Sequence, residues 1–323
     1  MKALVYMGQG QLELQQRPNP QNDIVIKVAA SGVCGTDLKT YLKGHHMFQP
    51  NSVLGHECYG EIVSVSGSVK DFKPGDHVVV APYYECGECE SCRIGVGQLC
   101  PNKLYLQDGC FSEYIAVSSE YARKGLYKVA EPRDVYTLVE PLACVINGME
   151  KLNVEQNRKV LVVGSGPMGT LFAIALTGMG VTVDVVEIGE WRKKKLQEYG
   201  FNVIQPDEVK SGAYDQIVLT VNRPELVQFY LSLAANGGNV LLFSGFSKSD
   251  RAQIDPYDVH YREVRVTGSF GYNLNHFTES LQMIEQNRDR FERMITHKYG
   301  IEDGAMAFDM LKNGQAMKLI LTL

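Results

Sequence analysis

Four of the chain's eight cysteines fall in one short stretch, Glu85 to Cys100, spaced C-x2-C-x2-C-x7-C: Cys86, Cys89, Cys92 and Cys100. Four thiolates on one loop suit zinc, which binds them tetrahedrally in a closed shell with no position for substrate. Gly87, Gly95 and Gly97 lie between them and permit the turns that convergence needs. Two disulfides or four free thiols are the competing readings. The sequence shows no secretory leader and no apolar run of about 18 residues. A cytoplasmic setting is therefore expected, where disulfides are rare and clustered cysteines are more often metal ligands. A closed site of this kind serves to fold a lobe that lacks its own hydrophobic core.

If that lobe is structural, chemistry needs an open metal site elsewhere. The segments "GVCGTD" (Cys34, Thr36, Asp37), "LGHE" (His56, Glu57) and "LVEPLA" (Glu140) supply a thiolate, an imidazole and carboxylates. Cys34, His56, Glu57 and Glu140 form an S/N/O set suited to zinc. Three protein ligands with a position left over would be catalytic. Each residue has a plainer reading by itself: a small core cysteine, a satisfied histidine, a surface acid. Their joint occurrence with the four-cysteine lobe and the turn described next is what selects the metal reading.

"GSGPMG" sets Gly164, Gly166, Pro167, Met168 and Gly169 in G-x-G-x-x-G, after the apolar strand "KVLVV" and before the helix "TLFAIALTGMG". That context makes it a dinucleotide turn: tight turn, close backbone approach to pyrophosphate, and close helix–strand packing. Glu187 ends the next strand and is placed to accept hydrogen bonds from the ribose hydroxyls of NAD. Arg192 and Lys193 follow it and soften the preference for NAD over NADP. Later strand ends, at Val221, Ser244 and Ser269, are where the rest of a dinucleotide is expected, because ligands bind outside the carboxyl ends of such strands.

These residues need two kinds of element to position them. Up to about Pro141, short alternating runs ("DIVIKVAASGV", "YGEIVSVSG", "GDHVVVAPY", "FSEYIAV") read as strands of a β-rich barrel-like or sandwich-like domain. From "KVLVV" to "EVRVTGSF" strands alternate with helices, the signature of a doubly wound parallel sheet. An amphipathic helix, "NHFTESLQMIEQN", follows, and the last strand, "AMKLILTL", reads like a return to the first domain. The 323 residues are 45% hydrophobic and 21% charged, with net charge −5, enough for two ordinary domains and unfavourable for nucleic acid or an anionic membrane.

In order and spacing, these motifs resemble the zinc-dependent medium-chain alcohol and polyol dehydrogenases over essentially the whole chain. The "GHE" and "EPLA" pair is closest to the sorbitol, threonine and related sugar-alcohol members. The resemblance implies an α/β chain: a GroES-like β-rich catalytic domain at 1–145 with the structural zinc lobe at 85–101, an NAD-binding Rossmann domain at 146–270, and a return to the catalytic domain at 271–323. It implies a cleft between domains that holds a catalytic zinc and the nicotinamide, giving two zinc ions per chain. Cys34 and His56 become zinc ligands, Glu57 and Glu140 the acidic partners, and Asp37 the carboxylate that orients His56. Thr36 matches the hydroxyl that takes the substrate proton. Many members carry a histidine three residues after that hydroxyl; here the position is Lys39. Neither His45 nor His46 is given a role.

The activity so implied is hydride transfer between NAD and a secondary alcohol of a polyol, sugar or (amino)cyclitol, the 2-deoxy-scyllo-inosamine type being one narrow case. L-Threonine is the competing substrate. Lys39, Tyr41, His45, Glu113 and Asn273 are candidates to line the substrate pocket. A small polar alcohol or ketone is the expected partner, within a homodimer or homotetramer paired by analogy through "GGNVLLFSGF" to "VRVTGSF". The alternatives are a non-catalytic zinc- and nucleotide-binding redox sensor or structural protein, and a zinc-free quinone or enoyl reductase of the same fold; neither needs the open metal set.

Overall fold

The computed structural model describes residues 1–45, 47–67, 69–154 and 158–323; His46 lies outside them. The chain divides into two compact units, Met1–Ala143 with Asn273–Leu323, and Cys144–Tyr272.

The first unit is built on a seven-stranded sheet. Its order is Leu126–Val129, His77–Val80, Glu57–Val65, Ile24–Gly32, Lys318–Thr322, Ile295–Gly300, with Tyr114–Val117 also paired to Ile24–Gly32. The four alternating runs picked out in the sequence each contribute a strand to it. The apolar faces close on a core that includes Ile24, Ile26, Val28, Ile62, Val78 and Val80. The strand Lys318–Thr322 enters beside Ile24–Gly32 in antiparallel register, Ile320 opposite Gly32. Gly32 in turn faces Glu57 across the next strand. This register brings segments far apart in sequence onto one short stretch of sheet.

The second unit holds a six-stranded, wholly parallel sheet in the order Asn202–Ile204, Thr182–Val186, Lys159–Val163, Tyr214–Leu219, Ala234–Leu242, Arg265–Gly268. The strand Lys159–Val163 is apolar after its first residue, and Tyr214–Leu219 and Ala234–Leu242 end in apolar runs, Ile217–Leu219 and Val240–Leu242, as strands covered on both faces must. The segment "PELVQFYLSLAANGG" holds the change from the helix Leu226–Leu233 to the strand that begins at Ala234. Gly237, at φ +72°, supplies the left-handed turn inside that segment.

Two cysteines depart from the expectation that disulfides are rare. Cys58 and Cys110 are bridged, with Cα atoms 6.2 Å apart. Both are buried, and the Cys110 N–H donates to the Gly55 carbonyl at 2.9 Å, which brings this loop beside the start of Glu57–Val65. Among the described residues no helix is long and apolar enough to cross a membrane.

Candidate active site

The four-cysteine lobe is a short excursion bracketed by the strand pair Tyr83–Tyr84 and Leu104–Tyr105. A four-residue helix, Glu90–Arg93, and a 3-10 turn, Gly97–Leu99, carry the sulfurs inward. Cys89 lies 3.5 Å from Cys92 and 3.6 Å from Cys100, and Cys86 lies 3.5 Å from Cys100 and 3.9 Å from Cys92. A tetrahedron with metal–sulfur bonds of about 2.3 Å has sulfur–sulfur edges of about 3.8 Å. The distances fit four thiolates around one ion and are far too long for disulfides. Backbone N–H groups of Glu88 and Cys89 donate to Cys86 and lower its thiol to about 6. Burial, then the neighbouring thiols, pushes Cys92 up to about 12. Ile94 and Leu99 are 69% and 55% exposed, so the lobe's surface carries apolar residues that a core would otherwise have covered.

The open set starts at the end of the strand Ile24–Gly32. Cys34 caps the helix Gly35–Lys43: its Sγ accepts from the Thr36 N–H at 3.5 Å, and its own N–H donates to Asp37 Oδ2 at 2.9 Å. Asp37 Oδ1 accepts from the Gly55 N–H at 3.2 Å and lies 3.5 Å from His56 Nδ1. One buried aspartate thus fixes both loops that carry the candidate ligands. Gly55 is required there, because φ is +90° and a Cβ would stand 2.5 Å from the Phe111 ring. Metal-ligating atoms of Cys34, His56 and Glu57 fall within 4.8 Å of one another. Glu140, at the start of the helix Val139–Leu152, is not in that cluster, but its buried carboxyl interacts with His56, Glu57 and Lys318.

The electrostatics of the set ask for a cation. Burial alone would lower His56, yet Asp37 and Cys34 hold it well above its ordinary 6.5. Burial and then Glu57 raise Glu140 to about 7, with His56 and Lys318 acting against them. Glu57 Oε1 is buried with no hydrogen-bond partner. An orphaned carboxylate oxygen beside a thiol and an imidazole is the donor arrangement of a zinc site, and the residues present fit that ion. The other oxygen, Oε2, accepts from the ammonium of Lys318, which is itself 2% exposed.

In the second unit, Gly164 takes φ +91° at the end of Lys159–Val163, and Gly166 caps the helix Pro167–Gly178, with Pro167 in its first turn. A Cβ on Gly166 would meet nothing within 4 Å, which leaves open space in front of the helix N-terminus, the place for an anion. Met168 is partly exposed in the same turn. Thr220 Oγ1 ties the turn down by donating to the carbonyls of Val163 and Gly164 at 2.8 and 3.1 Å. Glu187 closes Thr182–Val186. Its carboxylate accepts from the Ser165 N–H and hydroxyl on one oxygen and from the Ile188 and Gly189 N–H groups on the other. Val221, Ser244 and Ser269 follow three successive strand ends; Ser244 donates to the Val221 carbonyl at 2.9 Å, and Ser269 Oγ is buried without a partner. Arg192 lies partly buried on the helix Glu190–Glu198.

Residues 20–128 match the model of the alcohol dehydrogenase GroES-like domain, and residues 167–286 match that of zinc-binding dehydrogenases. D-Altritol 5-dehydrogenase of Agrobacterium fabrum is 30% identical over 318 residues, 94% of each chain. The chain belongs to the zinc-dependent medium-chain alcohol and polyol dehydrogenase family. A sorbitol dehydrogenase of Halalkalibacterium halodurans is also 30% identical, over 100% of this chain and 99% of its own. Among solved structures, an Escherichia coli chain described as a short chain alcohol dehydrogenase complexed with NADH superposes with a TM-score of 0.88 at 25% identity, covering 100% of this chain and 99% of that one.

As a dehydrogenase of this family, the chain is a zinc-dependent alcohol oxidoreductase. Some residues considered for the substrate pocket have structural contacts of their own. Glu113 accepts from the Lys2 N–H at 2.6 Å, Asn273 caps the helix Leu274–Gln286, and Tyr41 packs edge-on against Phe308 at 5.3 Å. Thr36 and Lys39 are exposed, and the His45 ring packs at 5.5 Å from Phe48. The sequence reading missed Lys318, Gly32 and Ser165. The signal for Lys318 was a lone charge opening a strand whose next three residues are all buried.

Gly169 gives the dinucleotide turn its sharpest test. A Cβ there would lie 1.9 Å from the Gly164 carbonyl oxygen. Backbone cannot yield as a side-chain tip can. Gly169→Ala is expected to cost about 2 kcal/mol in stability and to weaken NADH binding by about tenfold, one unit of 1.4 kcal/mol. Thermal unfolding and NADH fluorescence titration read the two effects; unchanged NADH affinity would remove this turn from the cofactor site.

Proposed function

We propose that the protein oxidises a secondary alcohol of a polyol, sugar or (amino)cyclitol, or reduces the matching ketone, using NAD. The observation that carries this is the convergence of Cys34, His56 and Glu57, with a buried, unpartnered oxygen on Glu57. When bound, zinc supplies Lewis-acid polarisation of the substrate oxygen, and nicotinamide supplies the hydride chemistry. Cys34, His56 and Glu57 hold the ion, Glu140 standing close by as a further acid, and Asp37 orients His56. Thr36, exposed at the first helical turn next to Cys34, takes the proton from the substrate hydroxyl and passes it towards solvent at Lys39. The lobe holds a second zinc, so each chain carries two.

Gly164, Gly166 and Gly169 receive the pyrophosphate at the helix N-terminus. Glu187, fixed by Ser165 and two backbone amides, presents a stationary negative charge where a 2′-phosphate would lie, which favours NAD over NADP. A ribose diol would be held by this carboxylate, whose Oε2 here accepts from the Ser165 hydroxyl. The strand Arg265–Gly268, at the open edge of the parallel sheet, is the proposed contact of a homodimer or homotetramer.

The substrate class rests on two relatives whose names specify altritol and sorbitol. The experiment is NAD reduction across polyols, inositols, aminocyclitols and L-threonine, with zinc counted per chain. Turnover on polyols or cyclitols with two zinc ions is expected. Preference for L-threonine would move the substrate to an amino alcohol, and turnover on none of the panel would remove the substrate class.

A further inference from the structure

Lysine is almost never fully buried unless paired, yet Lys318 is 2% exposed and Glu57 1% exposed. Such a pair is a poor source of stability, because desolvating two charges offsets most of their attraction. The space around it is as specific as the charges. A Cβ on Gly32 would stand 2.2 Å from Glu57 Oε2 and 2.8 Å from Lys318 Cε. The pair therefore lies against bare backbone, and any side chain at 32 would dislodge it. Its two carboxylate oxygens are used unequally: Oε2 accepts from Lys318 Nζ, while Oε1 has no partner. Cys34, His56 and Glu57 together form the cluster of candidate ligands.

We propose that Lys318 is a positioning residue for the metal centre: by occupying Oε2, it makes Glu57 offer one oxygen rather than two and so keeps room for the substrate. This rests on the reading of Cys34, His56 and Glu57 as metal ligands. Without Lys318, both oxygens of Glu57 would be free to serve as ligands and the site would be more anionic, so a metal held by Cys34, His56 and Glu57 would be bound more tightly but with less space for an alcohol. The lysine is thus a brake on the carboxylate.

The test compares the parent holoenzyme with Lys318→Met and Lys318→Arg. Three readouts are needed: the rate at which each zinc is lost to a chelator, the visible absorption of the Co2+-substituted enzyme, and kcat and KM separately. The lobe's ion is the internal control. Lys318→Met is expected to slow loss of the active-site ion by about tenfold, within the 10–100-fold range of groups that orient metal ligands. It should also change the Co2+ spectrum and lower kcat more than it raises KM, with loss from the lobe unchanged. Lys318→Arg should restore the parent spectrum. If Lys318→Met does not fold, Lys318→Ala, which also removes both the charge and the donor to Oε2, is the second variant and should shift the same readouts in the same direction. Parent-like ion loss and spectrum in folded Lys318→Met or Lys318→Ala would overturn the role of Lys318 alone. A parent that holds only the lobe's ion would remove the metal reading and this inference with it.

Discussion

His56→Ala is expected to lower kcat/KM by about three orders of magnitude, the ~4 kcal/mol that metal polarisation of the reacting oxygen supplies, while NADH affinity stays within about twofold. Its Nδ1 edge faces Asp37 at 3.5 Å, so the other ring nitrogen is the one left for the ion. Removing the ring leaves Cys34 and Glu57, two ligands where an open zinc site has three. Asp37, buried and still holding Cys34 and Gly55, keeps both loops in place, so the loss should be chemical rather than structural. Metal analysis should fall from two ions to one. Metal loading in the parent is also pH-dependent. Asp37 and Cys34 hold the His56 proton well above 6.5, and that proton must leave before the ring can ligate. Loading therefore strengthens as pH rises and fails as it falls. Turnover in His56→Ala near the parent rate would place the chemistry elsewhere.

The second large effect is expected in the lobe. Cys92→Ser should lose the lobe's ion and lower Tm by about 6 °C, the shift that ~3–5 kcal/mol gives in a chain of this size. The four sulfurs stand 3.5–3.9 Å apart and, with Ile94 and Leu99 turned outward, they are what the segment folds around. Zinc loss there should leave the folded fraction active, because a four-thiolate shell offers substrate nothing. A Cys92→Ser protein with parent Tm would show that the lobe is held by other contacts. One that is folded but wholly inactive would give the lobe a part in catalysis.

Much of this was legible because the informative groups are short and contiguous. The lobe, "GVCGTD", "LGHE" and "GSGPMG" each carry their chemistry within about four to sixteen residues, and local periodicity marked the strands around them. Asp37 was legible as the partner of His56, but its grip on the Gly55 N–H was not, since that bond depends on how two loops meet. Lys318 illustrates what was hidden. It meets Glu57 across 261 residues, through a register in which Gly32 faces both Glu57 and Ile320. No periodicity encodes that meeting. Ser165 was hidden differently: as the variable position of G-x-G-x-x-G it carries no motif signal, and its bond to Glu187 follows only from the parallel pairing of two strands. The Cys58–Cys110 bridge was missed because burial, rather than spacing, brings those sulfurs together.

The division of the chain also orders its biosynthesis. The parallel-sheet unit, Cys144–Tyr272, is continuous and leaves the ribosome complete while the first unit still lacks Asn273–Leu323. Units of this kind fold as they are made, so the nucleotide unit, begun second, finishes first. Until Lys318–Thr322 emerges, the Ala30–Gly32 end of the strand Ile24–Gly32 lacks that neighbour and Glu57 lacks Lys318. A half-made chain can hold a folded nucleotide unit, yet the Glu57 carboxylate stays without its Lys318 partner until the last strand docks.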